Sequence, residues 1–133
     1  MNSKLPHDIR AIASEAADED FHSRYDAKGK RYRYRILNQK RPIVLQRNYA
    51  WRVYQDLDIG KMRLAAEDLL GEHDFASFMA ARSFVHTSVR EIYSIDIQKN
   101  DEEITIDVYG NGFLRSMVRI IAGTLVEMGH GQK

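Results

Sequence analysis

Arginine and tyrosine are the residues here whose types and spacing could do chemistry. Arg31, Arg33 and Arg35 alternate with Tyr32, Tyr34 and Ile36. On a strand, that period of two lines up three cations on one face, roughly 7 Å apart, close to the phosphate spacing along one RNA strand. The tyrosines fall on the opposite face, where they could stack on bases or fill a core. Towards the other end, Arg115 and Arg119 stand four apart beside Leu114 and Val118, the spacing of neighbours on one helix face. A snorkelling surface pair is the plainer account of them. Metal and thiol chemistry have no candidates: His7, His22, His73, His86 and His130 form no i,i+4 pair, and there is no Cys. Gly129-His130-Gly131 follows a helix rather than opening one, unlike a phosphate-binding turn. No nucleophile elbow or oriented triad occurs, so residue types alone write no reaction.

Charge supports a polyanion partner. The net charge of +1 hides strong blocks: residues 21–55 carry ten Lys/Arg against one acid, Asp26, whereas residues 56–112 carry five basic and twelve acidic residues. One face built for nucleic acid is expected, with the acidic block turned away from it. A merely solubilising charged edge strand is the alternative. With 133 residues and 44% hydrophobic content, the chain suits one folded domain. Its apolar runs fall far short of the roughly 20 residues of a spanning helix, and it opens without an apolar signal segment. No membrane association and a cytoplasmic location are expected.

The elements that must position these residues follow from periodicity. Residues 1–20 are ambiguous between a helix through Ile12 and Ala16 and a short strand over Ile9–Ala13. Arg31–Leu37 is a strand, and Ile43–Tyr54 is expected to hold more extended chain with Trp51, Val53 and Tyr49 on one side. Asp58 should cap a helix across Gly60–Leu70, which Gly71 ends in a left-handed conformation. Glu72-His73-Asp74 reads as an interhelical turn, with a second short helix from Asp74 through Phe75 and Phe78. Val89–Gln98 reads as a strand presenting Val89, Tyr93, Ile95 and Ile97 on one face, paired as a hairpin with Ile104, Ile106 and Val108. A last helix is predicted over Phe113–Met128. The fold class is α+β, a ferredoxin-like βαββα(β) sandwich: an antiparallel sheet with helices on one face and its final strand missing.

Four segments then line up with a family. They are Asn2-Ser3-Lys4-Leu5-Pro6-His7-Asp8-Ile9; Phe21-His22-Ser23-Arg24 with Lys30-Arg31-Tyr32-Arg33-Tyr34; Leu70-Gly71-Glu72-His73-Asp74-Phe75 with Phe78; and Asn111 through Leu125, including Met117-Val118-Arg119. In order and spacing they resemble the C-terminal half of the catalytic region of TruA-type tRNA pseudouridine synthases. The resemblance implies an isomerisation in which uracil leaves its ribose, turns and rejoins through carbon 5, at uridines 38 to 40 of the tRNA anticodon stem-loop. It implies no metal or organic cofactor, a homodimer in full-length members, and a target nucleotide drawn out of the stack.

By motif match Tyr32 packs on the target base and Arg119 pairs with the catalytic Asp. Arg24, Lys30, Arg31, Arg33, Arg35 and Arg115 are the expected RNA contacts. The family's Asp lies in an Arg-Thr-Asp-Ala-Gly motif, and no Arg-Thr-Asp occurs in these residues. Asp8, Asp26 and Asp74 do not fit the role. The expectation is therefore a fragment: residues 1–30 an arm, and residues 31–133 an RNA-binding half that is inactive by itself. A stand-alone RNA-binding module without chemistry and a structural domain are the competing readings.

Overall fold

The computed structural model describes residues 1–130. Five strands and two helices follow an N-terminal arm: β1 (Lys30–Asn38), β2 (Trp51–Val53), α1 (Ile59–Glu67), β3 (Gly71–Asp74), β4 (Val89–Asn100), β5 (Glu103–Gly110) and α2 (Met117–Gly129). The strands form one sheet in the order β2-β1-β5-β4-β3. β1, β5, β4 and β3 run antiparallel to their neighbours, whereas β2 pairs parallel with the end of β1. The fold is thus α+β and ferredoxin-like, with a mixed sheet. β2 meets only Ile36, Leu37 and Asn38, so Lys30–Arg35 has no strand on that side among the described residues.

Alternation builds the core. Ile104, Ile106 and Val108 of β5 are fully buried with Ile36 of β1, and the helices cover this face through Met62, Ala66, Met117, Ile121 and Leu125. The other face is mainly polar and charged, with Leu37 and Tyr109 among its residues, because each intervening residue points away from the helices. α1 starts where Asp58 caps it, the carboxylate accepting the Lys61 N–H at 3.2 Å.

Several expected elements differ. The arm forms neither helix nor strand beyond a 3-10 turn at Asn2–Lys4, and Ile12 is fully exposed there. The Asn2 side chain brackets Ala11, donating to its carbonyl at 3.1 Å and accepting its N–H at 2.7 Å. Residues 44–50 are turns, which confines the extended chain to β2 and leaves Tyr49 exposed. Gly71 is left-handed (φ 92°) but begins a strand, having φ suited to the corner between α1 and β3. The polar segment Glu72-His73-Asp74 is therefore an edge strand rather than an interhelical turn, its side chains in solvent and its backbone paired with β4. The expected second helix shrinks to a 3-10 turn at Ala76–Phe78. Gly131 of the Gly-His-Gly run lies outside the described residues.

A bulge changes the face of β4. The register shifts between Ile92 and Ser94, so Ile92 joins Ile95 and Ile97 on the helix side. Tyr93 turns to the open face and packs on Tyr109, ring centroids 5.2 Å apart. The expected single row of Val89, Tyr93, Ile95 and Ile97 is thus broken at the extra residue. Asn111 clamps the irregularity: its side-chain oxygen accepts the Glu91 N–H and its own N–H donates to the Glu91 carbonyl, both at 3.0 Å. Beside this clamp, a Cβ on Gly110 would come within 2.6 Å of the Glu91 carbonyl oxygen. Gly110→Ala is expected to destabilise the fold by about 2 kcal/mol, because the obstacle is backbone with nowhere to go. The midpoint of urea denaturation, followed by circular dichroism, checks it; an unchanged midpoint would show that the bulge yields.

Candidate nucleic-acid interface

Burial along β1 falls steadily from one end to the other. Ile36 is fully buried, Tyr34 is half-buried and Tyr32 is 49% exposed. The cause lies in α2, which begins only at Met117 and so leaves the Tyr32 end of this sheet face uncovered. The expected helical turn over Phe113–Ser116 does not form. Ser116 adopts a left-handed φ of 62°, and the Arg115 carbonyl accepts the Ala80 N–H at 3.0 Å instead of entering a helix. Arg115 and Arg119 therefore do not share a helix face, contrary to their spacing.

The bend nevertheless brings them to one hollow. A cleft of about 510 Å³ is lined by Tyr32, Arg33, Tyr34, Phe113, Leu114, Arg115, Ser116, Val118 and Arg119. Phe113 meets Tyr32 edge-on at 5.2 Å between centroids, which fixes the tyrosine ring at the cleft wall. Tyr32 and Arg119 thus border the same cleft, and so does Arg115. Among the described residues, no carboxylate lines it. An aromatic wall with two guanidinium groups free of ion pairs among the described residues suits a planar base and a phosphate.

The arginine row behaves differently from the expected array of free cations. Arg33 holds Asp107 through two hydrogen bonds of 2.8 and 2.9 Å, and Arg35 donates to Glu103 at 2.8 Å and to Gln46. Both acids belong to the acidic block, part of which therefore lies directly beside the basic strand, on β5, rather than away from it. The reason is register: β1 and β5 place Arg33 opposite Asp107 on the open face, with Glu103 two pairs beyond Arg35, the next position on that face. Arg31 lies over the Tyr109 ring at 5.1 Å. Lys30 is exposed at the strand start, and Arg24 stacks near Tyr25 in the arm; neither lines the cleft.

Sequence reasoning missed Phe113 as a wall residue, although an aromatic directly after Asn111-Gly112 was a visible signal. It also missed the acids facing the arginines, which only strand register reveals. Asp74 is occupied elsewhere: it accepts the Ser88 hydroxyl at 2.5 Å and the Ala76 N–H at 3.1 Å, which together hold its carboxyl below the usual range.

The paired acids titrate low. The Arg33 hydrogen bonds hold Asp107 below its ordinary value against a smaller burial effect, and Arg35 does the same for Glu103. A depressed carboxylate stabilises the fold above the unfolded-state pKa and loses that contribution as pH falls through the lower native value. Arg33→Ala should return Asp107 towards the ordinary carboxylate range, read by carboxyl-carbon NMR titration. An Asp107 titration unmoved by the change would mean the ion pair does not persist in solution.

Comparison with known proteins identifies the family. A family model described as tRNA pseudouridine synthase matches residues 65–133. The chain is 44% identical over 132 residues to tRNA pseudouridine synthase A of Thermoanaerobacter sp. (strain X514), covering 99% of this chain and 54% of that protein. It is 45% identical over 133 residues to tRNA pseudouridine synthase A of Halalkalibacterium halodurans, covering all of this chain and 51% of the relative. Against tRNA pseudouridine synthase A 2 of Clostridium perfringens the identity is 47% over 133 residues, 54% of that protein. The chain spans about half the length of the curated relatives it matches. With its family model covering more than half of the chain, this protein belongs to the tRNA pseudouridine synthase family.

Proposed function

We propose that residues 31–133 are the RNA-holding half of a tRNA pseudouridine synthase catalytic region, acting on uridines 38 to 40 of the anticodon stem-loop. The observation that carries this reading is the cleft shared by Tyr32, Phe113, Arg115 and Arg119. In it Tyr32 packs on the extruded uracil, with Phe113 bracing the ring from its edge. Arg119 pairs with the carboxylate that attacks the nucleoside and holds it ionised by its fixed positive charge. That carboxylate comes from outside these 133 residues, since no acid among the described residues lines the cleft and no Arg-Thr-Asp occurs in the sequence. The complete enzyme works as a cytoplasmic homodimer without metal or organic cofactor.

RNA grip divides between free and committed cations. Arg115, Arg119 and Arg31 have no carboxylate partner among the described residues, whereas Arg33 and Arg35 do. A phosphate at Arg33 must displace Asp107, so little net counterion release follows. Arg24 and Lys30 extend the basic surface away from the cleft.

The absence of a carboxylate in the cleft favours the binding-only reading for the chain in isolation. Incubated with an unmodified tRNA transcript, the 133-residue chain should form no pseudouridine above a protein-free blank, because the covalent step has no nucleophile. Turnover in that assay would overturn the assignment. Replacing Arg115 and Arg119 together with Ala should flatten the log–log salt dependence of tRNA-loop binding by about 1.4, at roughly 0.7 per single-strand phosphate contact. The double replacement of Arg33 and Arg35 should flatten it less. Equal effects from the two pairs, measured by filter binding across a salt series, would show that the ion pairs do not restrain the strand arginines.

A further inference from the structure

A second hollow adjoins the Tyr32 cleft on the far side of Arg119. It has a volume of about 520 Å³ and is walled by the β1 residues Arg33, Tyr34 and Arg35, the turn residues Arg47, Asn48, Tyr49 and Ala50, and Trp51 of β2, with Arg119 closing it. The two hollows share Arg33, Tyr34 and Arg119 and so form neighbouring compartments along one side of β1. We propose that this hollow is a second nucleotide subsite, which takes the base and phosphate of an unpaired ribonucleotide next to the one in the Tyr32 cleft. The inference rests on the RNA reading above and extends it to residues outside the basic strand.

The chemistry of the lining selects the ligand. Among the described residues four arginines line the hollow, and no carboxylate does. Two of them are committed: Arg33 to Asp107, and Arg35 to Glu103 and Gln46. Arg47 makes one long bond of 3.3 Å to the Val44 carbonyl, and neither it nor Arg119 is in an ion pair among the described residues. A phosphate would meet those two guanidinium groups without displacing anything.

The aromatic wall is pre-set. Trp51 is paired in register with Ile36 and stands edge-on to Tyr34 at 6.3 Å, which holds the indole while leaving it 40% exposed. Tyr49 lies exposed beside it in a turn tied to β1 through the Arg35–Gln46 bond. A base stacking on such rings needs no sequence-specific hydrogen bonds. An acidic peptide would satisfy the arginines but leave both rings without a planar partner.

Trp51 is the only tryptophan of the chain and therefore reports on this hollow directly. The test titrates the 133-residue chain with a short fluorescein-labelled oligouridylate at low salt, following label anisotropy for total binding and tryptophan emission for the hollow. Binding should quench Trp51. Arg47→Ala should largely abolish the quench, weaken binding severalfold and lower the salt slope by about 0.7. Arg41→Ala, which removes a cation paired with Glu102 outside the hollow, should leave the quench intact. RNA that binds by anisotropy without changing Trp51 emission, or a quench that survives Arg47→Ala, overturns the subsite and leaves the tRNA reading standing. Absence of anisotropy change overturns both. Quenching by an acidic peptide in place of RNA overturns the choice of ligand.

Discussion

The pairing of β1 with β5 fixes which way every residue of the candidate interface points. Register sets Tyr32 against Val108, Tyr34 against Ile106 and Ile36 against Ile104, one contiguous apolar face from core to cleft. A slip of one residue would turn the arginines inward and the tyrosines out, since side chains alternate with a period of two. The slip is opposed from both sides. Ile36, Ile104, Ile106 and Val108 would lose their burial under the helices, and Arg33 would lose the two hydrogen bonds to Asp107. Hydrophobic burial is the larger restraint, because an ion pair this open to water contributes little. The ion pair adds direction rather than much stability.

The cleft exists because a helix begins late. Had α2 started at Phe113, its first turn would have extended the helix layer over the Tyr32 end of the sheet. The left-handed Ser116 and the bond from Ala80 to the Arg115 carbonyl hold the chain out of that turn. Access to Tyr32 is thus set by a backbone conformation, at a modest cost typical of residues held in the left-handed region. The same bend lets Arg115, outside the helix, and Arg119, inside it, reach one hollow.

Much of this was legible in the residues. The strict alternation of Arg31–Ile36 announces β1, and Asp58 ahead of a 3.6-residue pattern announces α1, because local rules and burial agree there. Tyr32 and Arg119 were singled out by motif resemblance rather than by any local pattern, and both line one cleft. The failures fall where long-range pairing overrides local signal. Glu72-His73-Asp74 has polar turn chemistry but becomes a strand, because the edge of β4 offers its backbone partners. Tyr93 fits the alternation on paper yet sits at a bulge that no single-strand pattern can reveal. The block-by-block charge sum also misled: Glu103 and Asp107 are far from the arginines in sequence and adjacent in space.

The open side of β1 bears on how the chain behaves in concentrated solution. The Asn38 N–H donates to the Glu102 carbonyl of the β4–β5 turn, so the even-numbered residues of β1 aim their backbone groups at β5 and the odd-numbered ones at the opposite side. From Arg31 to Arg35 that side offers amide and carbonyl groups a strand of another molecule could adopt. Repulsion between two such edges would normally discourage this. Here Asp107 and Glu103 neutralise Arg33 and Arg35, leaving Arg31 on the strand, with Arg47 and Arg119 off it, to keep copies apart. Their protection is purely electrostatic, so added salt, which screens it within a few ångströms at molar strength, works in favour of self-association while it works against binding a polyanion.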